Sequence, residues 1–284
     1  MSRITQNWWL SSYKVGLVSW LAISGAIASS FDWAIAQSNI VPDNTLGANH
    51  SAITPNVNIN GLPSERISGG AIRGANLFHS FREFNVDAGK RVYFFAPNTE
   101  IKNILARVTG RNRSEILGVL GTRVFDGITI SNSNANLFLI NPNGILFGKN
   151  ASLDVGGSFV ATTANGVQFG EQGVFSATNP EIPQLLRVNP SAFLFNQINQ
   201  NAGIQNNSKV PAGVQTLSAF QAFGLRVPDG KSLLLVSGNV NMDDGQLNAF
   251  GGRVELGGLA EPGNINLFVD GDNPLLSLSG FSYY

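Results

Sequence analysis

Apolar and polar positions along this chain alternate with the period of a strand, not the 3.6-residue period of a helix. Ile53-Thr-Pro-Asn-Val-Asn-Ile-Asn-Gly is one alternating run and predicts a short strand. Leu77 to Phe84, with three Phe, and the Arg-Val-Tyr-Phe-Phe of Arg91 to Phe95 predict two more. Ile101 to Val108 is compatible with helix or strand, and its shortness favours strand. Ala135 to Ile140 is an apolar run of buried-strand length. It stops at Asn141-Pro142-Asn143-Gly144, a sequence suited to a type I turn, and Ile145 to Phe147 resumes the strand.

The tail is the most regular stretch. Glycines recur at 238, 245, 251, 252, 257, 258, 263, 271 and 280. Between them lie Asn239-Val-Asn-Met, Gln246-Leu-Asn-Ala-Phe, Arg253-Val-Glu-Leu and Asn264-Ile-Asn-Leu-Phe-Val. Three such strands per coil give a repeat of roughly 20 residues, the scale of solenoids. An antiparallel sandwich is the alternative, but its hairpins prefer longer, strictly alternating strands. The fold expected is therefore all-β, a parallel β-helix (solenoid) in which each rung pairs the open edge of its neighbour.

Composition supports many tight turns: the 284 residues include 32 Gly and 32 Asn beside 19 Phe, with only 13% charged. A formal net charge of +0 argues against bulk electrostatic binding of nucleic acid. The absence of Cys removes disulfides and thiolate chemistry, and two His (His50, His79) exclude a multi-histidine metal site. Charge is nonetheless uneven. Residues 65–123 hold ten basic and five acidic side chains, and residues 229–272 hold two basic and seven acidic ones. This is either a basic face for an acidic partner or a set of solvated rims.

Residues 1–36 read as a signal peptide. Arg3 and Lys14 form the positive flank, Val15 to Phe31 carries no charge, and Ala34-Ile35-Ala36 precedes Gln37 as a cleavage site. A transmembrane anchor is the rival reading, but the stretch is short and dotted with Ser and Gly. Export without cysteine suits a bacterial envelope.

Catalytic chemistry leaves few traces. Gly-x-Ser-x-Gly, His-Glu-x-x-His and phosphate-binding glycine loops are absent from the sequence, so no enzyme, metal or cofactor is expected. Neither His50 nor His79 lies beside a nucleophile signature. Asp243-Asp244 and Asp270-Gly271-Asp272-Asn273 could ligate Ca²⁺ or act as paired carboxylates on glycans, but such residues are also ordinary turn formers.

One long block resembles a known family. It comprises Arg107-Val-Thr-Gly110, Ser114-Glu-Ile-Leu-Gly118, Ala135 through Gly148, and Ala151-Ser-Leu-Asp-Val-Gly-Gly-Ser-Phe-Val-Ala-Thr-Thr-Ala164. It is similar to the N-terminal secretion (TPS) domain of filamentous haemagglutinin-type exoproteins, the TpsA partners of two-partner secretion. Asn141, Pro142, Asn143, Gly144 and Ile145 match a hallmark motif of that family. Its second motif, Asn-Pro-Asn-Leu, is degenerate here as Ala96, Pro97, Asn98 and Thr99. Gly-Gly-Arg-Val-Glu-Leu-Gly-Gly-Leu, within Leu247 to Gly263, resembles continuation rungs of the cyanobacterial branch.

The resemblance implies a right-handed parallel β-helix with an N-terminal β cap. Residues 37–165 would be the secretion domain with its cap, and residues 166–284 continuing β-helix rungs, possibly truncated. It implies Sec export, then recognition by the POTRA domains of a TpsB/Omp85-type outer-membrane transporter. The product would be secreted or held at the cell surface as a non-enzymatic adhesin with a cell-surface or glycan receptor. Asn141 to Ile145 would either contact the transporter or shape a turn that nucleates the coil. The alternatives are a polysaccharide-binding or -cleaving β-helix, and a remnant secretion domain without adhesive repeats.

Overall fold

The computed structural model describes residues 38–214 and 221–277. The expected signal peptide, with its expected cleavage residues Ala34, Ala36 and Gln37, lies outside the described residues. Among the described residues there is no α-helix, only strands and one 3-10 turn at Gly47–Asn49.

Three parallel sheets carry the fold. The first stacks Asn76–Phe84, Asn103–Val108, Asn136–Ile140, Phe159–Thr162, Ser232–Val236 and Arg253–Gly257. The second stacks Leu62–Gly69, Arg91–Ala96, Val119–Phe125 and Ser152–Asp154. The third stacks Ser114–Ile116, Ile145–Phe147, Ile204–Asn206 and Val240–Met242. The chain visits the first, third and second sheets in turn and then returns to the first, as from Asn103 through to Phe159. That is the path of a parallel β-helix.

The register explains why the first sheet holds. Leu77, Ile104, Leu137, Phe159 and Leu233 align in one column and point into the coil interior. The next column, Phe78, Leu105, Phe138, Val160 and Leu234, points outward into a second apolar core. Burying one such side chain stabilises by about 2 kcal/mol, so both faces contribute. Burial on both faces also erases the alternation a half-exposed strand would show. This is why Asn103–Val108, buried throughout, looked ambiguous between helix and strand.

The outer core is closed by a five-stranded antiparallel sheet. Its strands are Gly166–Gln168, Val174–Ser176, Ala192–Phe195, Gly263–Asp270 and Asn273–Leu276. Val167, Phe175, Phe193 and Ile265 align across it and face Phe78 and Phe138. Residues 166–284 combine parallel rungs with this antiparallel sheet. Only 204–206, 225–226, 232–236, 240–242, 247–248 and 253–257 pair in parallel there. The remainder folds back because the outward column of the first sheet needs an apolar cover.

Antiparallel strands occupy the N-terminal edge. Ile40–Pro42 and Ala71–Arg73 share the free edge of Asn76–Phe84, and Ser51–Ile59 pairs Leu62–Gly69. They supply partners to backbone groups that a bare parallel edge would leave open.

Candidate functional site

The Asn141–Ile145 corner joins the first sheet to the third. Asn141 is fully buried. Its Nδ2 donates to Asn112 O and Ser114 Oγ, each at 3.0 Å. Its Oδ1 accepts from Asn143 N at 2.9 Å and Asn143 Nδ2 at 3.1 Å. Asn143 Nδ2 also donates to Gly110 O at 2.8 Å. The two carboxamides thus tie the corner to the preceding coil.

Backbone bonds tie the corner to both neighbours. Ser114 N donates to Gly144 O at 3.0 Å, Asn141 N to Thr162 O at 2.9 Å, and Ile145 N to Gly203 O at 3.0 Å. Gly144 N donates to Asn141 O at 3.1 Å, the bond expected of a four-residue turn. Gly144 has φ +110°, where a side chain is strained, and a Cβ there would lie 3.1 Å from Gly203 O. Asn143 does not have a positive φ, which excludes a type II turn and agrees with type I.

The Ala96–Thr99 corner is built differently. Ala96 is buried and pairs with Val124. Pro97, Asn98 and Thr99 are exposed. The side chains here supply one local bond, from Glu100 N to Asn98 Oδ1 at 3.0 Å. Asn98 replaces the missing first Asn by bending its own backbone, and nothing ties the turn to another coil through a carboxamide.

A ladder of amides and hydroxyls escaped sequence reasoning. Asn103 Nδ2 donates to Asn76 Oδ1 at 2.9 Å, and Asn136 Nδ2 to Asn103 Oδ1 at 3.1 Å. Ser158 N donates to Asn136 Oδ1 at 2.9 Å, and Ser232 N to Ser158 Oγ at 2.9 Å. All five residues are buried, one at or just before the start of each of the first five first-sheet strands. Their sequence separations of 27, 33, 22 and 74 residues hide the repeat. The Asn that opens three of these strands was the available signal, but it reads equally as turn chemistry.

Two of the ten basic side chains of residues 65–123, Arg107 and Arg123, are buried. Arg107 is fully buried over the Phe175 ring, with its Cζ 4.3 Å from the centroid. It donates to Ser80 Oγ, Thr45 Oγ1, Ser176 O and Glu181 O, at 2.8 to 3.0 Å. Burial lowers its pKa to about 10, partly opposed by the Asp43 charge. Burial tends to raise Asp43, but hydrogen bonds from Thr109, Thr45 and Ser80 outweigh it and hold its pKa below the ordinary value. Arg123, also buried, donates to Asp154 Oδ2 at 2.6 Å, and Tyr93 Oη donates to the same oxygen at 2.7 Å. Burial and Asp154 push the Tyr93 phenol up to about 12. These two cations brace the coil from within, while Arg82, Lys102, Arg111 and Arg113 are exposed.

The remaining candidates have structural surroundings. His79 is buried in the first coil, with Nδ1 2.9 Å from Ser51 Oγ and its ring tilted against Phe94. Burial drives its pKa down to about 3, so it is neutral. His50 ends the 3-10 turn. Asp244 has φ +59° and pairs with Lys209 at 3.4 Å. Asp270 and Asp272 flank Gly271 in the turn of the last hairpin. Among the described residues, no group of three or more His, Cys, Asp or Glu is placed to hold a metal ion.

The molecule is thus an all-β protein of coiled parallel sheets, whose Asn-Pro-Asn-Gly-Ile corner is buried between two coils. A family model for the TPS secretion domain matches residues 38–279, and the chain belongs to that family. By that description the chain carries a secretion domain. Among solved structures, the crystal structure of the HMW1 secretion domain from Haemophilus influenzae is similar, with a TM-score of 0.51 and 22% identity. The match covers 86% of this chain and 48% of that one, so the chain spans about half its length; the likeness is one of fold. None of the curated proteins compared matches the chain.

Proposed function

We propose that this chain is a TpsA-type exoprotein of the cyanobacterial branch, exported by Sec through residues 1–36 and then across the outer membrane by an Omp85-type TpsB. In this reading the POTRA domains bind the unfolded secretion domain by strand addition. The folded product is a right-handed β-helix capped by the antiparallel strands of residues 40–73, and it acts outside the cell in surface adhesion. The observation that carries the reading is the family match over residues 38–279. A turn-shaping role for Asn141–Ile145 is supported by the four hydrogen bonds that Asn141 makes within the folded corner.

A glycan receptor is the favoured adhesive target. Asn143, Asn201, Gln205, Asn239 and Asn241 line one groove on the third sheet, and carboxamides both donate to and accept from sugar hydroxyls. Loss of glycan-array binding in a Gln205→Ala, Asn241→Ala double variant would support this; unchanged binding would remove it.

The main test is secretion of the full precursor in a Gram-negative host, with and without the cognate transporter. The expected result is protein in the medium only when the transporter is present. Retention in the periplasm in both cases, or release without the transporter, overturns the proposal. Asn143→Ala separates the two roles of the corner. If the corner shapes a turn, the variant leaves the periplasm but is protease-sensitive outside. If the corner contacts the transporter, the variant stays inside.

A further inference from the structure

A cleft of about 520 Å³ opens where the second sheet turns toward the first. Its volume falls within the roughly 300–1,000 Å³ of small-molecule sites. Ile72, Phe95, Pro97 and Phe125 supply apolar wall, and Ile72 is 45% exposed. Two charged residues line it, Arg66 and Asp126.

Arg66 is unusual in this molecule. Its guanidinium carbon lies 4.6 Å from the Phe95 ring centroid and 5.2 Å from that of Phe125. Stacking on two rings fixes the plane of the group. Yet Arg66 enters no ion pair among the described residues, and its Nε is buried without a hydrogen-bond partner. Arg107 and Arg123, by contrast, have acceptors in the protein. A planar, oriented, unpaired guanidinium at the wall of an apolar cleft is a preformed receptor for a carboxylate.

Asp126 opposes it. Its carboxylate accepts hydrogen bonds from Thr129 N and Ile128 N, which hold its pKa below the ordinary value, and it is ionised at neutral pH. The charges therefore act in opposite senses on an anion. Ser68 is the one hydroxyl side chain on the wall, so a polyhydroxylated ligand would find few partners there.

We propose that this cleft binds a carboxylate carried on a compact apolar body, with Arg66 as the anion receptor and Ile72 and Phe125 as the apolar wall. The test is calorimetric titration of the purified chain with phenylacetate, with neutral benzyl alcohol, and with digalacturonate. Phenylacetate should bind, with benzyl alcohol weaker by about tenfold or more, the effect of losing one charge-assisted contact. Arg66→Met should weaken phenylacetate by a similar factor. Asp126→Asn keeps the turn acceptor and removes the repulsion, so it should tighten phenylacetate severalfold; this arm stands even if Arg66→Met fails to fold. Equal binding of phenylacetate and benzyl alcohol, or an unchanged Kd in Asp126→Asn, overturns the charge assignment. Tighter binding of digalacturonate overturns the apolar body. An absence of heat with all three ligands at millimolar concentration overturns the site.

Discussion

Two corners of the β-helix carry related sequences and have opposite constructions. Asn141-Pro-Asn-Gly is closed over by its neighbours, its first side chain buried with four hydrogen bonds. Ala96-Pro-Asn-Thr projects into solvent, and its side chains contribute one local bond. The difference lies in the first residue. An Asn there can cross-link to the coil below; an Ala can only fill space. At 141–144 the second carboxamide also reaches the coil below, from Asn143 to Gly110 O, whereas Asn98 bends only its own backbone. The two roles are separable: bending is local, whereas the position of one coil on the next is set by groups that reach the coil below, as both carboxamides at 141 and 143 do.

The contrast can be broken most severely at Asn141. Asn141→Ala leaves Asn112 O, Ser114 Oγ and Asn143 without their partner in a buried place, and should destabilise by about 3 kcal/mol. Urea unfolding of the refolded chain checks it. Gly144→Ala comes next, at about 2 kcal/mol, because it forces a side chain into φ +110° against Gly203 O. A shift in urea midpoint without a change in m would attribute the loss to the native state.

Acid gives a control of intermediate size. Neither corner has a titratable side chain, but His79 is buried neutral with a pKa of about 3. Its unfolded value is about 6.5. Between those values the unfolded chain binds the extra proton, so stability falls as pH falls below about 6.5, by about 1.4 kcal/mol per pH unit. Asp43, with its lowered pKa, acts in the same direction at lower pH. The wild type and both corner variants should therefore lose stability in parallel when urea curves are compared at pH 6.5 and 5.5. Convergence of the curves would mean that the corner couples to the first coil. The smallest effect belongs to the exposed corner: Asn98→Ala should change stability by less than about 0.5 kcal/mol. A loss as large as that of Asn141→Ala would erase the comparison.

The strands and the buried corner were legible from residue pattern alone, because Ala135–Ile140 is apolar and Asn-Pro-Asn-Gly is turn chemistry. The antiparallel cover was not. Ala192–Phe195 is an apolar run like the parallel rungs, Gly263–Asp270 alternates as any half-exposed strand does, and nothing local records which neighbour a strand will pair. The inward basic residues were illegible for a related reason. Arg107 sits in a strand buried on both faces, where a charge is tolerated only because Ser80, Thr45 and two carbonyls from residues 176 and 181 converge on it. Those partners lie up to 74 residues away.

The amide and hydroxyl ladder has a consequence for how errors accumulate. A parallel apolar stack is nearly indifferent to a slip of two residues, because one aliphatic side chain replaces another on the same face. Asn76, Asn103, Asn136, Ser158 and Ser232 are not interchangeable with their neighbours, since a slip would bury an amide without a partner. Each coil therefore takes its starting point from the polar residue of the coil before it, however many residues loop out between them. The ladder acts as a frame marker: a misplacement in one turn is checked at the next and is not copied down the chain.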